Sequence, residues 1–136
     1  MEIHSVDLPN SVSHTEHPQS RRGILLRGLP VNLHQGDGPV VAASLLREKS
    51  CQDPLVFIDG DHARESVLRD AKIILEAAPR AALLFHDTFY QPGSAYNHGP
   101  YEAVKEILQE IPKPYQVADA GLGCPGMTLL VPSNPQ

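Results

Sequence analysis

Two continuous apolar runs dominate the hydrophobic pattern, PLVFID at residues 54–59 and AALLFHD at residues 81–87. An apolar run without polar alternation is typical of a strand covered on both faces, as in a parallel sheet. Between the runs, apolar residues recur at helical spacing over residues 62–78, and Pro79 ends that pattern. The pattern therefore predicts a strand, a helix and a second strand, the repeating unit of parallel α/β sheets.

Similar patterns extend to both ends of the chain. Short apolar or alternating segments bounded by glycine or proline predict further strands, and longer periodic segments predict helices. The predicted strands cover residues 2–8, 31–37, 115–120 and 126–132, and the predicted helices cover residues 39–49 and 100–111. One or two helical turns are also expected within residues 21–30, after a loop at residues 11–22. Strands and helices thus alternate along one domain of residues 1–136, which predicts an open, mostly parallel α/β sheet with a C-terminal antiparallel hairpin.

Acidic residues end four of the predicted strands: Asp7, Asp37, Asp59 and Asp87. Because ligands of open α/β sheets bind beyond the carboxyl ends of the strands, we expect these carboxylates to line one rim. The two apolar runs also place a histidine beside the acid, in IDGDH at residues 58–62 and in FHDT at residues 85–88. Two buried strands that each end in an acid and a histidine indicate a functional site.

Composition limits the classes of protein that fit. Of the 136 residues, 41% are hydrophobic and 20% are charged, with a net charge of −5 and a pI near 5.7. This acidic balance argues against a nucleic-acid partner, because no basic face is available to neutralise phosphates. Cys51 and Cys124 have no C-x-x-C partner, which argues against a zinc ribbon and favours reduced thiols in a cytoplasm. No apolar run approaches the ~18 residues of a membrane span and no signal peptide opens the chain, so we expect a soluble cytoplasmic domain.

The segments VFIDGDHARESVLRDAKIIL, AALLFHDT and GPYEAVKEIL together resemble the second half of class I S-adenosylmethionine-dependent methyltransferases. The closest group is that of the small-molecule O-methyltransferases related to cephalosporin hydroxylase and rhamnosyl O-methyltransferase. Its members carry an I-D-G-D-H element, a helix, and an apolar strand that ends in a histidine or an acid followed by D-T. The resemblance covers residues 31–131 well and residues 1–30 weakly. It implies a three-layer, Rossmann-like methyltransferase sheet and methyl transfer to a hydroxyl of a small molecule, such as a sugar or a secondary metabolite.

The resemblance also implies how the methyl donor is bound. Asp7 occupies the end of the family's second strand, where an acid accepts hydrogen bonds from the ribose hydroxyls of S-adenosylmethionine. Asp37 matches the acid after the third strand, which contacts the adenine amino group. Asp59 ends a further strand on the same rim, so we expect it to contact the cofactor as well.

The resemblance further implies residues for the chemical step. In metal-dependent members, the acid at the position of Asp59 binds Mg²⁺ together with residues at the end of the following strand, here His86 and Asp87. Oxygen ligands suit this hard cation, which holds the acceptor and lowers the pKa of its hydroxyl. His86 stands where an acid is often found, and a neutral imidazole is a poor Mg²⁺ ligand. His86 or His62 is therefore the candidate general base for the acceptor hydroxyl.

One family feature has no counterpart in the sequence. The family begins with a strand and a glycine-rich loop, yet no such motif precedes Asp7, and GLGCPG at residues 121–126 stands between the last two strands instead. Because the missing strand is central in the family's sheet, its loss leaves two ladders of unpaired backbone groups. Three outcomes are open: the strands at residues 2–8 and 54–59 pair directly, another chain completes the sheet in a homo-oligomer, or the chain is a fragment.

Other interpretations of the same residues also stay open. Asp61 or His62 could cap the helix that follows, and the remaining strand-end residues could be structural. Two rival function classes are a catalytically inactive methyltransferase-like module for interaction or oligomerisation, and a metal-dependent hydrolase. The hydrolase would use a metal cluster of Asp59, Asp61, His62, His86 and Asp87.

Overall fold

The computed structural model describes residues 2–8, 28–49, 51–90, 92–93, 97–111, 115–121 and 125–133. Its elements in chain order are β1 (Ile3–Asp7), β2 (Val31–Gln35), α1 (Gly38–Lys49), β3 (Leu55–Ile58), α2 (Arg64–Ala77), β4 (Ala82–His86), α3 (His98–Glu110), β5 (Tyr115–Ala120) and β6 (Met127–Pro132). Every predicted strand and long helix is present, with ends that differ from the prediction by at most two residues. The turns expected within residues 21–30 and the loop at residues 11–22 lie wholly or largely outside the described residues.

The strands form two hydrogen-bonded groups. β1 and β2 pair in parallel, with Ile3 opposite Val31 and Asp7 opposite Gln35. The other strands form a sheet in the order β3-β4-β6-β5. In that sheet β3 and β4 are parallel, whereas β6 runs antiparallel to both β4 and β5. The predicted α/β fold with a C-terminal antiparallel hairpin is thus confirmed.

The two groups of strands do not join. Within the described residues, β1 and β3 are not hydrogen bonded to each other. α1 leaves β2, packs against β1 and ends at Lys49, whose Nζ donates to Glu2 Oε2 over 2.7 Å at the start of β1. Because the connection from β2 to β3 runs over β1, β1 is the strand of its pair that lies toward β3. Direct pairing of the strands at residues 2–8 and 54–59, one of the three open outcomes, is absent from the described part of the chain.

One face of the four-stranded sheet forms the core with α2 and α3. Leu83 and Phe85 of β4 are buried beside Leu130 of β6, because alternate residues of a strand point to the same face. They meet the apolar stripes of the two helices, which comprise Val67, Leu68, Ala71, Ile74, Ala103, Val104 and Ile107. α2 packs against both α1 and α3, so these helices form one layer.

The opposite face of the same sheet is partly open in the described residues. Leu55 and Phe57 of β3 are 63% and 53% exposed, and Val131 of β6 is 37% exposed. Phe57 stands opposite Leu84 of β4, which is only half-buried. The sheet therefore presents an apolar surface that α1, α2 and α3 do not cover.

Candidate active site

The carboxyl ends of β3 and β4 bring together four of the predicted site residues. Asp59 follows β3, His86 is the last residue of β4, and Asp87 comes next. His86 Nδ1 lies 3.3 Å from Asp59 Oδ1 and 3.0 Å from Asp87 Oδ1. His62 Nε2, from the loop before α2, lies 3.6 Å from Asp87 Oδ2. Asp87 therefore stands between two histidines, each facing a different oxygen of its carboxylate.

Asp87 is the most constrained residue of this cluster. Its side chain is 4% exposed, and its φ of 55° is the one positive value among the non-glycine residues that the structure describes. Aspartate enters this left-handed region more readily than most residues, although the conformation still costs about 1 kcal/mol or more. A buried carboxylate on a strained backbone at a strand end is an arrangement that concentrates at functional sites.

The surroundings of His86 decide which ring nitrogen carries the proton. Its Nδ1 is buried and, like Asp87 Oδ1, makes no hydrogen bond within the described residues, although the two atoms are close. A lone pair on Nδ1 would face two carboxylates, whereas an N–H at this position is attracted to both. The two carboxylates therefore favour the tautomer of the neutral ring with its proton on Nδ1 and its lone pair on Nε2.

The cluster does not fit a resident Mg²⁺ ion. Mg²⁺ demands a near-octahedral shell of oxygen ligands, whereas here an imidazole nitrogen lies between the two carboxylates. Among the described residues, no group of three or more His, Cys, Asp or Glu side chains is arranged to hold a metal ion. The metal set of Asp59, His86 and Asp87 stays a prediction without geometric support, and so does the larger cluster of the hydrolase hypothesis.

Behind Asp87, a chain of side-chain hydrogen bonds ties the end of β4 to the hairpin. Thr128 Oγ1 donates to Asp119 Oδ1 over 2.6 Å, so the 2.8 Å bond between the two threonine hydroxyls has Thr88 as its donor. Both threonines are buried. Sequence reasoning missed this network because its members stand on separate elements and no local pattern links them.

The glycines between β5 and β6 make room for Phe89. A methyl group on Gly121 would lie 2.5 Å from Phe89 Cε2, and one on Gly126 would overlap the same ring. Gly126 also has a φ of 93°, which residues with a side chain rarely adopt. The backbone N–H of Phe89 donates to Pro125 O over 3.0 Å. The described part of the GLGCPG segment thus packs against the residues that follow Asp87.

The start of α3 supports the backbone of His62. Gly99 lies so close that a methyl group there would overlap His62 O and lie 2.8 Å from Arg64 N. Beside it, the buried Asn97 donates from Nδ2 to Pro125 O over 3.3 Å. Neither Gly99 nor Asn97 carries a sequence signal, because the predicted helix begins at residue 100 and both types are ordinary in a loop.

Replacing Gly99 by alanine is expected to lower the free energy of unfolding by about 1–3 kcal/mol, because the overlapping atoms belong to backbone that cannot rotate away. Chemical denaturation measures this loss. Gly38→Ala is the matched control, since Gly38 also begins a helix but has no heavy atom near the added methyl group. Equal losses in the two variants would contradict the close contact with His62.

Asp61 has a structural role at the start of α2. Its Oδ1 accepts the N–H of Ala63 over 3.2 Å, and its Oδ2 accepts the hydroxyl of Ser66 over 2.6 Å. The hydrogen bond from Ser66, and next that from Ala63, lower the pKa of Asp61. Ala63 occupies the N-cap position without a side-chain cap, so Asp61 satisfies the helix start from upstream. This arrangement agrees with the capping interpretation of Asp61.

Removing the Ser66 hydroxyl is expected to raise the pKa of Asp61 toward its ordinary value. Because the native pKa is lowered, the ionised carboxylate contributes stability above the unfolded-state pKa, and this contribution disappears as the pH falls through the native pKa. An NMR titration of the Asp61 carboxyl should therefore move to higher pH in Ser66→Ala. Ser44→Ala is the control, since the Ser44 hydroxyl donates to Glu48 on α1. An unchanged titration in Ser66→Ala, or the same shift in both variants, would contradict the assignment.

Two of the three acids predicted to bind the donor lie on the β1–β2 side of the structure, whereas Asp59 follows β3. Asp7 ends β1, and its Oδ1 accepts the N–H of Leu8 over 3.0 Å. Asp37 follows β2 and forms an ion pair with Arg69 of α2, with 3.3 Å between Oδ1 and Nη1. The hydrogen bond that Arg69 donates to this carboxylate raises the pKa of Arg69. Asp37 thus fastens the end of β2 to α2, and donor binding by Asp7 and Asp37 stays a prediction.

An apolar cavity of about 320 Å³ lies away from this cluster, at the C-terminal ends of α2 and α3. Leu75, Ile107, Ile111 and Tyr115 are among its lining residues, and burial raises the pKa of Tyr115. His62 and Gly99 contact each other at the N-terminal ends of the same helices. The cavity is therefore separate from the candidate active site.

Comparison with known protein families shows which family contains this stretch of strands and acids. A family model described as a methyltransferase domain matches residues 2–88, from β1 through the FHDT segment. The chain belongs to this methyltransferase-domain family. No curated protein sequence matches the chain. The matched range includes β1, where the sequence alone shows the resemblance only weakly. The IDGDH and FHDT segments of this methyltransferase domain also fall inside the matched range.

Solved structures share the fold of this methyltransferase domain. A Staphylococcus aureus protein described as a caffeoyl-CoA O-methyltransferase has a TM-score of 0.60 at 7% identity, over 98% of this chain and 65% of that chain. An SAH-bound methyltransferase from Podospora anserina has a TM-score of 0.56 at 18% identity, over 98% and 61%. A Bacillus cereus O-methyltransferase in complex with SAH has a TM-score of 0.56 at 15% identity, over 94% and 62%. The chain thus spans less than two thirds of the length of these structures.

These comparisons confirm the resemblance to class I methyltransferases and the Rossmann-like α/β fold. At such identities the solved structures establish the fold alone.

None of the helices that the structure describes has an apolar stretch long enough to cross a membrane.

Proposed function

We propose that this methyltransferase domain transfers a methyl group from S-adenosylmethionine to a hydroxyl of a small molecule, with His86 as the general base. The proposal rests on the cluster of Asp59, His86 and Asp87 at the carboxyl ends of two parallel strands, in a chain of the methyltransferase-domain family. Ligands of such sheets bind beyond this edge. The two SAH-bound neighbours support the choice of donor.

The residues of the cluster divide the chemical work. S-adenosylmethionine supplies a methyl group bonded to a positively charged sulfur. His86 Nε2 takes the proton of the acceptor hydroxyl while the oxygen forms the new C–O bond and the electron pair of the broken C–S bond returns to sulfur. The proton on Nδ1 stays beside Asp59 and Asp87, whose charges stabilise the imidazolium. His62 contacts the second oxygen of Asp87 and keeps that carboxylate oriented; it is also the alternative base.

Asp7 and Asp37 are the proposed donor contacts, Asp7 for the ribose hydroxyls and Asp37 for the adenine amino group. Asp37 has to share its carboxylate with Arg69 to do so. Both partners of that ion pair are nearly half exposed, and exposed pairs contribute only about 0–1 kcal/mol. The ion pair is therefore a small obstacle to donor binding.

Replacing Asp37 by asparagine is expected to weaken SAH binding about tenfold or more, because a hydrogen bond to a charged group contributes about 1.5–3 kcal/mol. Isothermal titration calorimetry measures the dissociation constant. Arg69→Gln is the matched control: it removes the same ion pair but leaves the carboxylate, so affinity should stay unchanged or increase. Equal weakening in both variants would mean that Asp37 acts only through its contact with α2.

The function is tested by titration with S-adenosylmethionine and SAH, followed by transfer of a labelled methyl group to a panel of catechols, phenols and sugars. Each assay is run with added Mg²⁺ and with a chelator. Saturable donor binding and transfer in the presence of the chelator are the expected results. Transfer that requires Mg²⁺ would overturn the role of His86 as the sole activator of the hydroxyl. Donor binding without transfer to any acceptor would contradict the proposed enzymatic activity.

A non-catalytic methyltransferase-like module is the second candidate. In the described residues β1 and β3 belong to separate sheets, and this gap favours the non-catalytic module. The predicted donor residues Asp7 and Asp59 lie on opposite sides of the gap. Absence of heat at high donor concentration would support this module.

A soluble small-molecule acceptor and a cytoplasmic location form part of the proposed function. Cys51 is an exposed free thiol, which is typical of a reducing compartment. Fractionation of cells that express the tagged chain tests the location, and recovery from an oxidising compartment would contradict it.

A further inference from the structure

We propose that the acceptor of this domain is an uncharged phenol with a single hydroxyl, whose ring packs against Tyr90. This substrate class rests on the proposed function, because it names the acceptor of that methyl transfer. Two separate features select it. An exposed group of aromatic side chains beside the candidate active site favours a ring, and the surroundings of His86 favour an acidic hydroxyl.

Tyr90, His98 and Tyr101 form an aromatic cluster beyond the carboxyl end of β4. The ring centre of Tyr90 lies 6.1 Å from that of His98 and 5.6 Å from that of Tyr101, at interplanar angles of 65° and 46°. These values are typical of edge-to-face and tilted aromatic pairs. Tyr90 is nevertheless 54% exposed, and His98 is exposed as well. The cluster therefore offers aromatic surface to a further ring.

The backbone on both sides of the cluster is fixed to one carbonyl group before β6. The N–H of Phe89 and the side-chain amide of Asn97 both donate to Pro125 O, over 3.0 and 3.3 Å. Asn97 O in turn accepts the N–H of Tyr101 over 3.2 Å. Because these bonds hold the backbone beside each ring, a ligand meets a pre-organised surface, and binding needs little ordering of the protein.

The aromatic cluster adjoins the candidate active site through two parts of the chain. Tyr90 follows Asp87 by three residues, which span at most about 11 Å. His98 precedes Gly99, whose backbone contacts that of His62. The cluster is therefore placed to hold an acceptor close to the residues that activate its hydroxyl.

The charges beside the aromatic cluster balance each other. Lys105 Nζ lies 5.0 Å from the centre of the Tyr101 ring and 3.6 Å from Glu102 Oε1. Because one positive and one negative side chain stand together, their fields largely cancel at a ligand on the cluster. An uncharged acceptor therefore suits this surface better than a charged one.

The surroundings of His86 favour a phenolic hydroxyl over an aliphatic one. The imidazole lies between Asp59 and Asp87, where a metal ion would need an oxygen ligand, so the acceptor proton is left to a single ring nitrogen. A phenol such as tyrosine ionises near a pH of about 10, whereas aliphatic hydroxyls are closer to water, with its pKa of about 15.7. An imidazole therefore removes the proton of a phenol far more readily.

A single phenolic hydroxyl is sufficient for this chemistry. The phenol oxygen forms the new C–O bond, its proton passes to His86 Nε2, and the electron pair of the broken C–S bond returns to sulfur. A second hydroxyl beside the first is useful chiefly where a metal ion chelates both oxygens. We therefore expect no preference for a catechol.

The experiment compares para-cresol with its saturated analogue methylcyclohexanol and its diol analogue methylcatechol. NMR shifts of tyrosine and histidine ring protons measure their dissociation constants for the full chain with bound SAH. Initial rates with labelled S-adenosylmethionine and a chelator give kcat and KM. Tyr90→Leu removes the ring, and Tyr90→Phe is the matched control, since it keeps the ring and loses only the hydroxyl. Because Tyr90 is largely exposed, neither change should unfold the domain.

Para-cresol should bind and be methylated, methylcyclohexanol should do neither, and methylcatechol should be no better than para-cresol. In Tyr90→Leu the dissociation constant and KM of para-cresol should rise about three- to tenfold, because an aromatic pair is lost. The rise should be smaller in Tyr90→Phe, and SAH affinity should stay unchanged in both variants.

Equal losses in Tyr90→Leu and Tyr90→Phe would overturn packing on the ring, and equal binding of para-cresol and methylcyclohexanol would overturn selection for an aromatic acceptor. Transfer to methylcatechol alone, or only with Mg²⁺, would overturn the single hydroxyl in favour of chelation. Transfer to a sugar but not to para-cresol would overturn the phenol and leave the proposed methyl transfer intact. Absence of transfer to every acceptor would instead overturn the proposed function itself, so the failures are distinguishable.

Discussion

Replacing Asp87 by asparagine is expected to lower the rate of methyl transfer by about 10²- to 10⁴-fold, the range that positioned acid–base groups contribute. Asparagine has the same shape and also tolerates a φ of 55°, so the backbone of the site should persist. The variant loses the negative charge that holds the proton on His86 Nδ1 and stabilises the imidazolium. Asp87 acts through the two histidines and is therefore a positioning residue.

The measurements that separate this role from a structural one are the initial rate at saturating donor and acceptor and the dissociation constant of SAH. kcat should fall while SAH affinity stays unchanged. Asp61→Asn is the matched control, since this exposed carboxylate belongs to the same IDGDH segment but bonds to Ala63 and Ser66. A full rate in Asp87→Asn would place the base elsewhere, and equal losses in the two variants would indicate general damage to the loop.

The strand-end position of the cluster could be predicted from the sequence because it depends on local pattern alone. Continuous apolar runs predict buried parallel strands, and the carboxyl ends of such strands share one edge. Asp59 and Asp87 are therefore near each other as soon as β3 and β4 are recognised. The histidine beside each acid belongs to the same short segments, so the contact of Asp87 with His62 and His86 needs little beyond the pairing of the two strands.

The direction of each side chain depends on distant residues and could not be predicted. Asp37 turns toward Arg69, which stands on α2 and is unrelated to it by any local spacing. Thr88 meets Thr128 only because β6 lies beside β4 in the sheet, an order that the linear pattern does not specify. The glycines at 121 and 126 are explained by the ring of Phe89. In each case tertiary packing, rather than propensity, selects the residue.

The absence of the family's first-strand motif left three outcomes open, and one of them, direct pairing of β1 with β3, is absent from the described strands. The consequence for the surface could not be predicted in the same way. A continuous apolar run indicates that both faces of β3 are covered, whereas Leu55 and Phe57 are exposed on one face. The sequence of β3 is therefore that of a central strand, although its surroundings in the described residues are those of an edge.

Replacing Phe85 by alanine is expected to lower the free energy of unfolding by about 3–5 kcal/mol, out of a typical total of about 5–15 kcal/mol for a domain. Phe85 is buried at the centre of the core, and its removal leaves a cavity beneath His86 and Asp87, the next residues of the chain. Denaturation by urea measures the change in midpoint. If the alanine variant does not fold, Phe85→Leu retains most of the volume and should lose less than about 1.5 kcal/mol.

Phe57→Ala is the matched control for Phe85→Ala, because it removes the same side chain from the neighbouring strand on the open face. Its ring is about half exposed, so the loss should be within about 0.5–1 kcal/mol for the chain alone. A loss as large as that of Phe85→Ala would mean that Phe57 is covered in solution. The same two phenylalanines thus distinguish the buried core, where a lost side chain leaves a cavity, from the exposed apolar face of the sheet, where it does not.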